Sequence, residues 1–283
     1  MVTPFTPDGA IDVEAAQSLA VTLVDDGADM ILLAGTTGEA PTTHLPEKQT
    51  LLREVGDAIG GRAMLVAGAG SNDTAHAVRI GVASQEAGAE GLLINAPYYN
   101  RPSQEGVYRH INAVVEATDL PVMVYDIPGR TGVKITEETL ARLAENPRVK
   151  AVKDATGDVE QGFRRMESTG LEYYSGDDGL NFAWLTHGAS GVISVAAHAD
   201  AHSWRQMIGA VDAGDLASAR TLARSLRPLV HAIMGGGQGA VMAKEALLLQ
   251  GRIPCAALRL PLVRAQADDV AALRGVLEDV GLL

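Results

Sequence analysis

Lys153 closes the run VKAVKDATGD at 149–158, and its place in that run gives it chemical interest. In a strand alternate residues face opposite sides, so Val149, Ala151 and Lys153 share one face while Lys150 and Val152 share the other. Lys153 is then the last residue of an apolar face, where the strand gives way to a Gly-containing loop. An ammonium moved into such a setting loses hydration, which favours the neutral amine, and a neutral amine attacks a ketone to form a Schiff base. The competing reading is that Lys153 ends its strand by reaching for water, as strand-terminal lysines usually do.

Residues that complement such a lysine sit in other loops. Thr36 and Thr37 stand between glycines in GTTGE, Tyr98 and Tyr99 in APYYN, Tyr125 at the end of VMVY, and Arg130 in PGRTG. Each also has a plain structural use. The threonines can satisfy loop backbone groups, Tyr125 can be a core tyrosine bonded at its tip, Arg130 can be a solvated loop residue, and the two tyrosines can be interface aromatics. Gathered on one rim, the group has a meaning that none of its members has alone.

A shared rim requires a scaffold, and the chain supplies the signals for one. Short Val, Ile and Leu runs at 2–5, 30–34, 64–67, 91–95, 122–125, 149–153, 172–174 and 191–195 each end in a Gly, Pro, Asn or Asp cluster. Amphipathic stretches at 13–26, 46–59, 74–87, 104–117, 136–145, 159–169, 180–187 and 201–213 alternate with them. Alternating strand and helix signals imply a parallel sheet with helical crossovers. Eight of each predict an α/β fold, a (β/α)8 TIM barrel, whose active site lies at the C-terminal ends of the strands. Asp12, Asp73, Ser103 and Thr136 are placed to cap helices. The first strand signal is short and begins at Met1, without the residues expected ahead of a barrel's first strand.

Strand signals cease at Asp215. Helical patterns at 216–233, 240–250 and 268–280 predict a C-terminal helical appendage, so the expected division is a catalytic barrel over 1–214 and a helical domain over 215–283. GGGQG at 235–239 lacks the preceding strand and the Lys-Ser or Lys-Thr pair of a phosphate loop, and reads as a hinge or helix terminator.

Composition removes several classes of function. A chain of 283 residues that is 47% hydrophobic can bury a large core, yet no segment approaches the roughly 20 apolar residues of a membrane span. The first residues show no basic stretch followed by an apolar run, so a cytoplasmic protein is expected. A net charge of -12 argues against nucleic-acid and anionic-membrane partners. The lone Cys255 excludes an intrachain disulfide. No metal site is expected: of the seven histidines only His198 and His202 share helical spacing, with no glutamate between them and no third ligand. There is no G-x-S-x-G elbow, and GAGSND lacks the third glycine of a dinucleotide fingerprint.

GTTGE (35–39), PYYNRPSQEG (97–106), YDIPGRTG (125–132), VKDATGD (152–158), SGDD (175–178) and GVISV (191–195) occur in this order across the whole predicted barrel. Together they resemble the dihydrodipicolinate synthase (4-hydroxy-tetrahydrodipicolinate synthase) family, within a superfamily that includes N-acetylneuraminate lyase and 2-keto acid aldolases. The resemblance implies that Lys153 forms an imine with pyruvate and that Tyr125 is the proton-transferring phenol. It implies that Thr37 binds the pyruvate carboxylate and that Thr36 links Tyr125 to Tyr99, which a neighbouring subunit contributes. Arg130 is implied to hold the carboxylate of the second substrate, L-aspartate 4-semialdehyde, and Gly176 and Ile193 to offer backbone contacts near pyruvate. A homotetramer, a dimer of dimers, is implied, with no metal or other cofactor. The alternatives are a sugar-acid lyase or aldolase of the same superfamily, which Arg130 and the threonine pair disfavour, and a non-catalytic keto-acid-binding paralogue.

Two departures from the family pattern stand out. Asp126 occupies a position where many members carry Asn. The positions that line the feedback lysine site in regulated members read here Ala40, Pro41, Leu45, Lys48, Asn72, His76 and Tyr98. Lys48 would repel the ammonium of a bound lysine, so weak or absent lysine inhibition is expected.

Overall fold

The computed structural model describes residues 1–236 and 238–283. Seven parallel strands follow chain order in the sheet: β1 (Met30–Leu33), β2 (Met64–Gly68), β3 (Gly91–Asn95), β4 (Val122–Asp126), β5 (Val149–Asp154), β6 (Glu172–Ser175) and β7 (Gly191–Val192). Helix α1 (Val13–Asp25) precedes β1; α2 (Leu45–Ile59), α3 (Thr74–Glu86), α4 (Gln104–Glu116), α5 (Pro128–Thr131), α6 (Glu137–Ala144), α7 (Val159–Thr169) and α8 (Asn181–Thr186) lie between the strands, and α9 (Ala197–Asp212) follows β7. This is the strand–helix alternation of a TIM-barrel-like (β/α)8 fold. Helices α10 (Leu216–Met234), α11 (Gly239–Leu249) and α12 (Ala267–Asp279) form the C-terminal appendage.

The chain groups into two compact units, one of residues 1–64 with 194–283 and the other of residues 65–193. In the second unit the strand interiors are apolar on both faces. On one face Leu92, Ile94, Val124, Val152 and Tyr173 are fully buried, and on the other Leu93, Met123 and Ala151 are buried too, as in parallel sheets covered by helices. Adjacent strands pair so that Asn95, Tyr125, Lys153 and Tyr174 align at one level, with one register shift between β4 and β5 at Val122/Met123. The expected caps form: Asp12, Asp73, Ser103 and Thr136 each accept a backbone N–H of the first helical turn.

The expected first strand at 2–5 does not form. Phe5 makes a single antiparallel bridge with Ile11. Pro4 has no amide to give a ladder, and the Val2 amide donates instead to His198 Nε2 at 2.9 Å. The apolar signal there reflects burial, since Val2 and Phe5 are core residues. The run 191–195 is strand only at Gly191–Val192, because the Ser194 hydroxyl already accepts the Ala197 amide at 2.9 Å to start α9. That helix begins four residues ahead of the expected 201 and is interrupted at Asp200, whose carboxylate caps the Ser203 amide. Gly237 of the GGGQG break lies outside the described residues; before it α10 is capped by Gly235, and after it α11 is entered from Gln238.

Candidate active site

Lys153 stands on β5 between Tyr125 of β4 and Tyr174 of β6, its register partners. It is 8% exposed, whereas Lys150 on the opposite strand face is exposed. Its Nζ lies 4.4 Å from the centre of the Tyr125 ring and neither donates a hydrogen bond nor forms an ion pair among the described residues. Burial pulls the ammonium down to about 8; the nearby Asp178 carboxylate opposes that shift and Arg130 adds to it. Close to neutral pH a usable fraction of this amine is therefore uncharged.

The wall beside Lys153 is built to the lysine's shape. A Cβ on Gly176 would come 2.9 Å from Lys153 Cε and 3.0 Å from its Cγ, so any side chain at that position would displace the amine. The Gly176 amide donates to the Asp154 carbonyl at 2.7 Å, and the Ile193 amide to the Ser175 carbonyl at 2.8 Å. Both backbone segments are thereby fixed to the ends of β5 and β6. Arg130 is exposed in α5, a short helix where the sequence suggested a loop, and it acts on Lys153 through its charge. Lys153, Tyr125, Gly176, Ile193 and Arg130 thus gather around the ends of β4 to β7.

Tyr99 is outside this group. It is 89% exposed and has φ of +71°, a left-handed conformation unusual for a tyrosine.

Thr36 and Thr37 lie in the other compact unit, in the turn after β1. The turn is closed by backbone bonds, Gly38 N to Gly35 O and Glu39 N to Thr36 O, both 3.1 Å. Neither threonine hydroxyl enters a hydrogen bond among the described residues, so the loop-satisfying use of these side chains is not the one observed. Behind the turn Glu39 is buried with φ of +54°. Its Oε1 accepts from Lys244 Nζ of α11 at 2.5 Å, and its Oε2 from the Arg259 amide at 3.0 Å. The threonine turn is therefore anchored to the C-terminal appendage through a buried ion pair.

Several of these groups escaped the sequence reading. Asp178 was visible only as part of SGDD. Glu39 lay within GTTGE without any cue that its partner was 205 residues away. Arg165, on a strongly amphipathic helix, had no cue at all, yet it is 1% exposed and pairs with Asp126 at 3.0 Å. His198, weighed as a ligand, uses both ring nitrogens inside the fold: Nδ1 to the Val195 carbonyl and Nε2 from the Val2 amide. Burial pulls its pKa to about 3. Among the described residues no group of three or more His, Cys, Asp or Glu side chains is arranged to hold a metal ion. No helix among them is long and apolar enough to cross a membrane.

The chain matches the sequence model of the Dihydrodipicolinate synthetase family over residues 1–280. A 4-hydroxy-tetrahydrodipicolinate synthase from Corynebacterium aurimucosum is 52% identical over 100% of this chain and 93% of its own length. The solved structure of a chloride-inhibited dihydrodipicolinate synthase from Acinetobacter baumannii, complexed with pyruvate, aligns with a TM-score of 0.96 at 34% identity, covering 100% of this chain and 97% of that one. A monomeric dihydrodipicolinate synthase variant aligns with a TM-score of 0.96 at 35% identity, covering 100% and 95%.

Proposed function

This chain belongs to the dihydrodipicolinate synthetase family, and we infer from that premise how its own residues carry the reaction. It is an enzyme of the 4-hydroxy-tetrahydrodipicolinate synthase type, a Schiff-base lyase that condenses pyruvate with L-aspartate 4-semialdehyde in lysine and diaminopimelate biosynthesis. The sugar-acid alternative is not favoured, since relatives at about this identity carry the synthase name.

The neutral Lys153 amine adds to the keto carbon of pyruvate and water leaves, giving an iminium that draws electrons from the neighbouring methyl. A proton departs from that methyl, and the enamine carbon attacks the aldehyde of the second substrate. Tyr125, with its ring against Nζ, is assigned the proton transfers, which require a path to solvent. Thr36 and Tyr99 are assigned that path, Tyr99 by reaching the site of a neighbouring copy; its exposure and left-handed backbone support that assignment. Thr37 is assigned the pyruvate carboxylate, and Gly176 and Ile193 the backbone lining. Arg130 is assigned the carboxylate of the aldehyde substrate, where a planar guanidinium gives oriented, bidentate contact. The assembly is assigned as a dimer of dimers and the reaction to the cytoplasm. The chemistry as written calls for no metal or other cofactor.

The single observation that carries this reading is a buried lysine at a strand end, held against a tyrosine ring and bonded to no carboxylate. Borohydride reduction in the presence of pyruvate, followed by peptide mass analysis, tests it. The label is expected on Lys153; a label on Lys150, or none, refutes the assignment. Reductase-coupled loss of NADPH with aspartate semialdehyde checks the second substrate against pyruvate release from N-acetylneuraminate or a 2-keto-3-deoxy sugar acid.

A further inference from the structure

Tyr125 and Lys153 are each followed by an aspartate, and strand alternation turns Asp126 and Asp154 to the face opposite the reacting pair. The two aspartates are register partners across β4 and β5. One cation serves both. Arg165 of α7 places Nη1 3.0 Å from Asp126 Oδ2 and 3.8 Å from Asp154 Oδ2, and all three side chains are at most 1% exposed.

The same guanidinium holds a third piece of backbone. Its Nη2 donates to the Ile135 carbonyl at 2.5 Å, while the Ile135 amide donates to Asp126 Oδ1 at 3.2 Å. Ile135 lies on the segment that leaves the Arg130 helix. Asp154 Oδ1 accepts from the Thr156 amide and hydroxyl, at 2.9 and 2.8 Å, and the Asp154 carbonyl receives the Gly176 amide. Arg165 is therefore hydrogen-bonded to the strand end bearing Tyr125 and to the exit from the Arg130 helix, and faces the strand end bearing Lys153 through the longer ion pair to Asp154.

An apolar side chain would hold α7 to the sheet at least as well, because burying ions carries a desolvation cost that packed hydrophobic groups avoid. What the ionic cluster adds is direction and a fixed spacing between two strand ends. It also adds a proton-dependent state, since two carboxylates facing one guanidinium leave a surplus negative charge. Burial raises both acids, Asp126 to about 6, against the opposing pull of the Ile135 amide and Arg165. The groups that face Asp126 are Asp154 on β5, Arg165 on α7 and the phenol of Tyr173 on β6. Lys134 adds its field at Asp154, and Glu138 of α6 lies within the field of Arg165.

We propose that Asp126 and Arg165 are positioning residues of the condensation: their charged pair sets the spacing of the β4 and β5 ends that holds Lys153 Nζ against Tyr125, and neutralising Asp126 releases it. This rests on Lys153 and Tyr125 being the reacting groups. Acid then lowers kcat through the back of the site, in addition to the protonation of free Lys153 that governs kcat/KM.

The test is the kcat profile from pH 5 to 8 in the coupled assay for the wild-type enzyme and for Asp126→Asn, Arg165→Met and Arg165→Lys, with borohydride trapping of pyruvate alongside. Wild type is expected to lose kcat on the acid side of about pH 6. Asp126→Asn keeps an oxygen for the Ile135 amide but is always neutral. Its kcat at pH 8 is expected to fall roughly tenfold, to the level wild type reaches in acid, with a flat profile and a pyruvate KM within about threefold of wild type. Arg165→Met is expected to lose as much or more at every pH, and Arg165→Lys to recover part of it. An Asp126→Asn profile that superimposes on wild type overturns the proposal, whatever the arginine variants do. Absence of label on Lys153 in the wild-type enzyme overturns the site reading instead, so the two failures are distinguishable.

Discussion

Lys153 and Lys244 are both buried, and each lies over an aromatic ring, Tyr125 at 4.4 Å in one case and Phe5 at 4.2 Å in the other. Burial lowers the pKa of both. They differ in what the ammonium holds. Lys244 is bonded to the Glu39 carboxylate and the Ala257 carbonyl, which favour its charged form, and it is spent on structure. Lys153 has only the more distant charge of Asp178 in its favour, so its proton is loosely held and its lone pair is available. Lys48 is a third case: it is buried and lowered by burial, with no ion pair among the described residues, but no tyrosine ring lies against it. Burial alone therefore does not make a nucleophile. In the proposed mechanism the amine is also unbonded and lies beside a proton-carrying group.

The largest way to break this contrast is Lys153→Met, which is expected to reduce turnover on the order of 10⁴-fold or more and to abolish pyruvate trapping. The variant also tests the charge state. Native Lys153 gives up its proton at about 8, whereas an unfolded lysine holds it to about 10.4. Between those values the unfolded chain binds more protons, so wild-type stability gains about 3 kcal/mol from this group as pH rises through the window. Urea unfolding of Lys153→Met should lack that rise.

Gly176→Ala probes the space around the amine rather than the amine itself. With its Cβ 2.9 Å from Lys153 Cε, it is expected to lower kcat about 10²-fold while leaving the fold intact by circular dichroism. For Lys244→Met the expected loss is in stability, about 3–5 kcal/mol in denaturant unfolding, because Glu39 is left buried without its cation. Adding Glu39→Gln should restore part of it. If Lys244→Met instead unfolds like wild type, the structural use of that lysine is wrong.

Smaller effects sharpen the picture. The kcat/KM for pyruvate should climb with pH, with its midpoint near pH 8 and a plateau about a unit above, and Asp178→Asn should move that limb to lower pH, since the carboxylate supports the charged amine. L-Lysine should inhibit weakly or not at all, given Lys48 where a bound lysine's ammonium would approach; a steep inhibition curve would contradict this.

Local chemistry made much of this readable in advance. Asp12, Asp73, Ser103 and Thr136 cap the helices they precede because capping needs only a side-chain oxygen and the right spacing. Lys153 was legible because strand alternation alone sets its face. Residues 2–5 show the limit: their apolar signal reports burial correctly, but Pro4 and the Val2 bond to His198 prevent a ladder. Arg165 shows it more sharply. Arg164, its neighbour, meets Glu160 one helical turn earlier and stays in solvent, while Arg165 turns inward to acids on two strands. Nothing local separates two adjacent arginines whose partners lie so differently along the chain.

The bond between Glu39 and Lys244 joins residues 205 positions apart. On a ribosome, which delivers the chain from its N-terminus at roughly 5–20 residues per second, the threonine turn emerges early and must wait for α11 before its carboxylate finds a counter-ion. Residues 65–193 have all been made before α11 emerges. The turn's buried acid gains its cation only as synthesis nears its end.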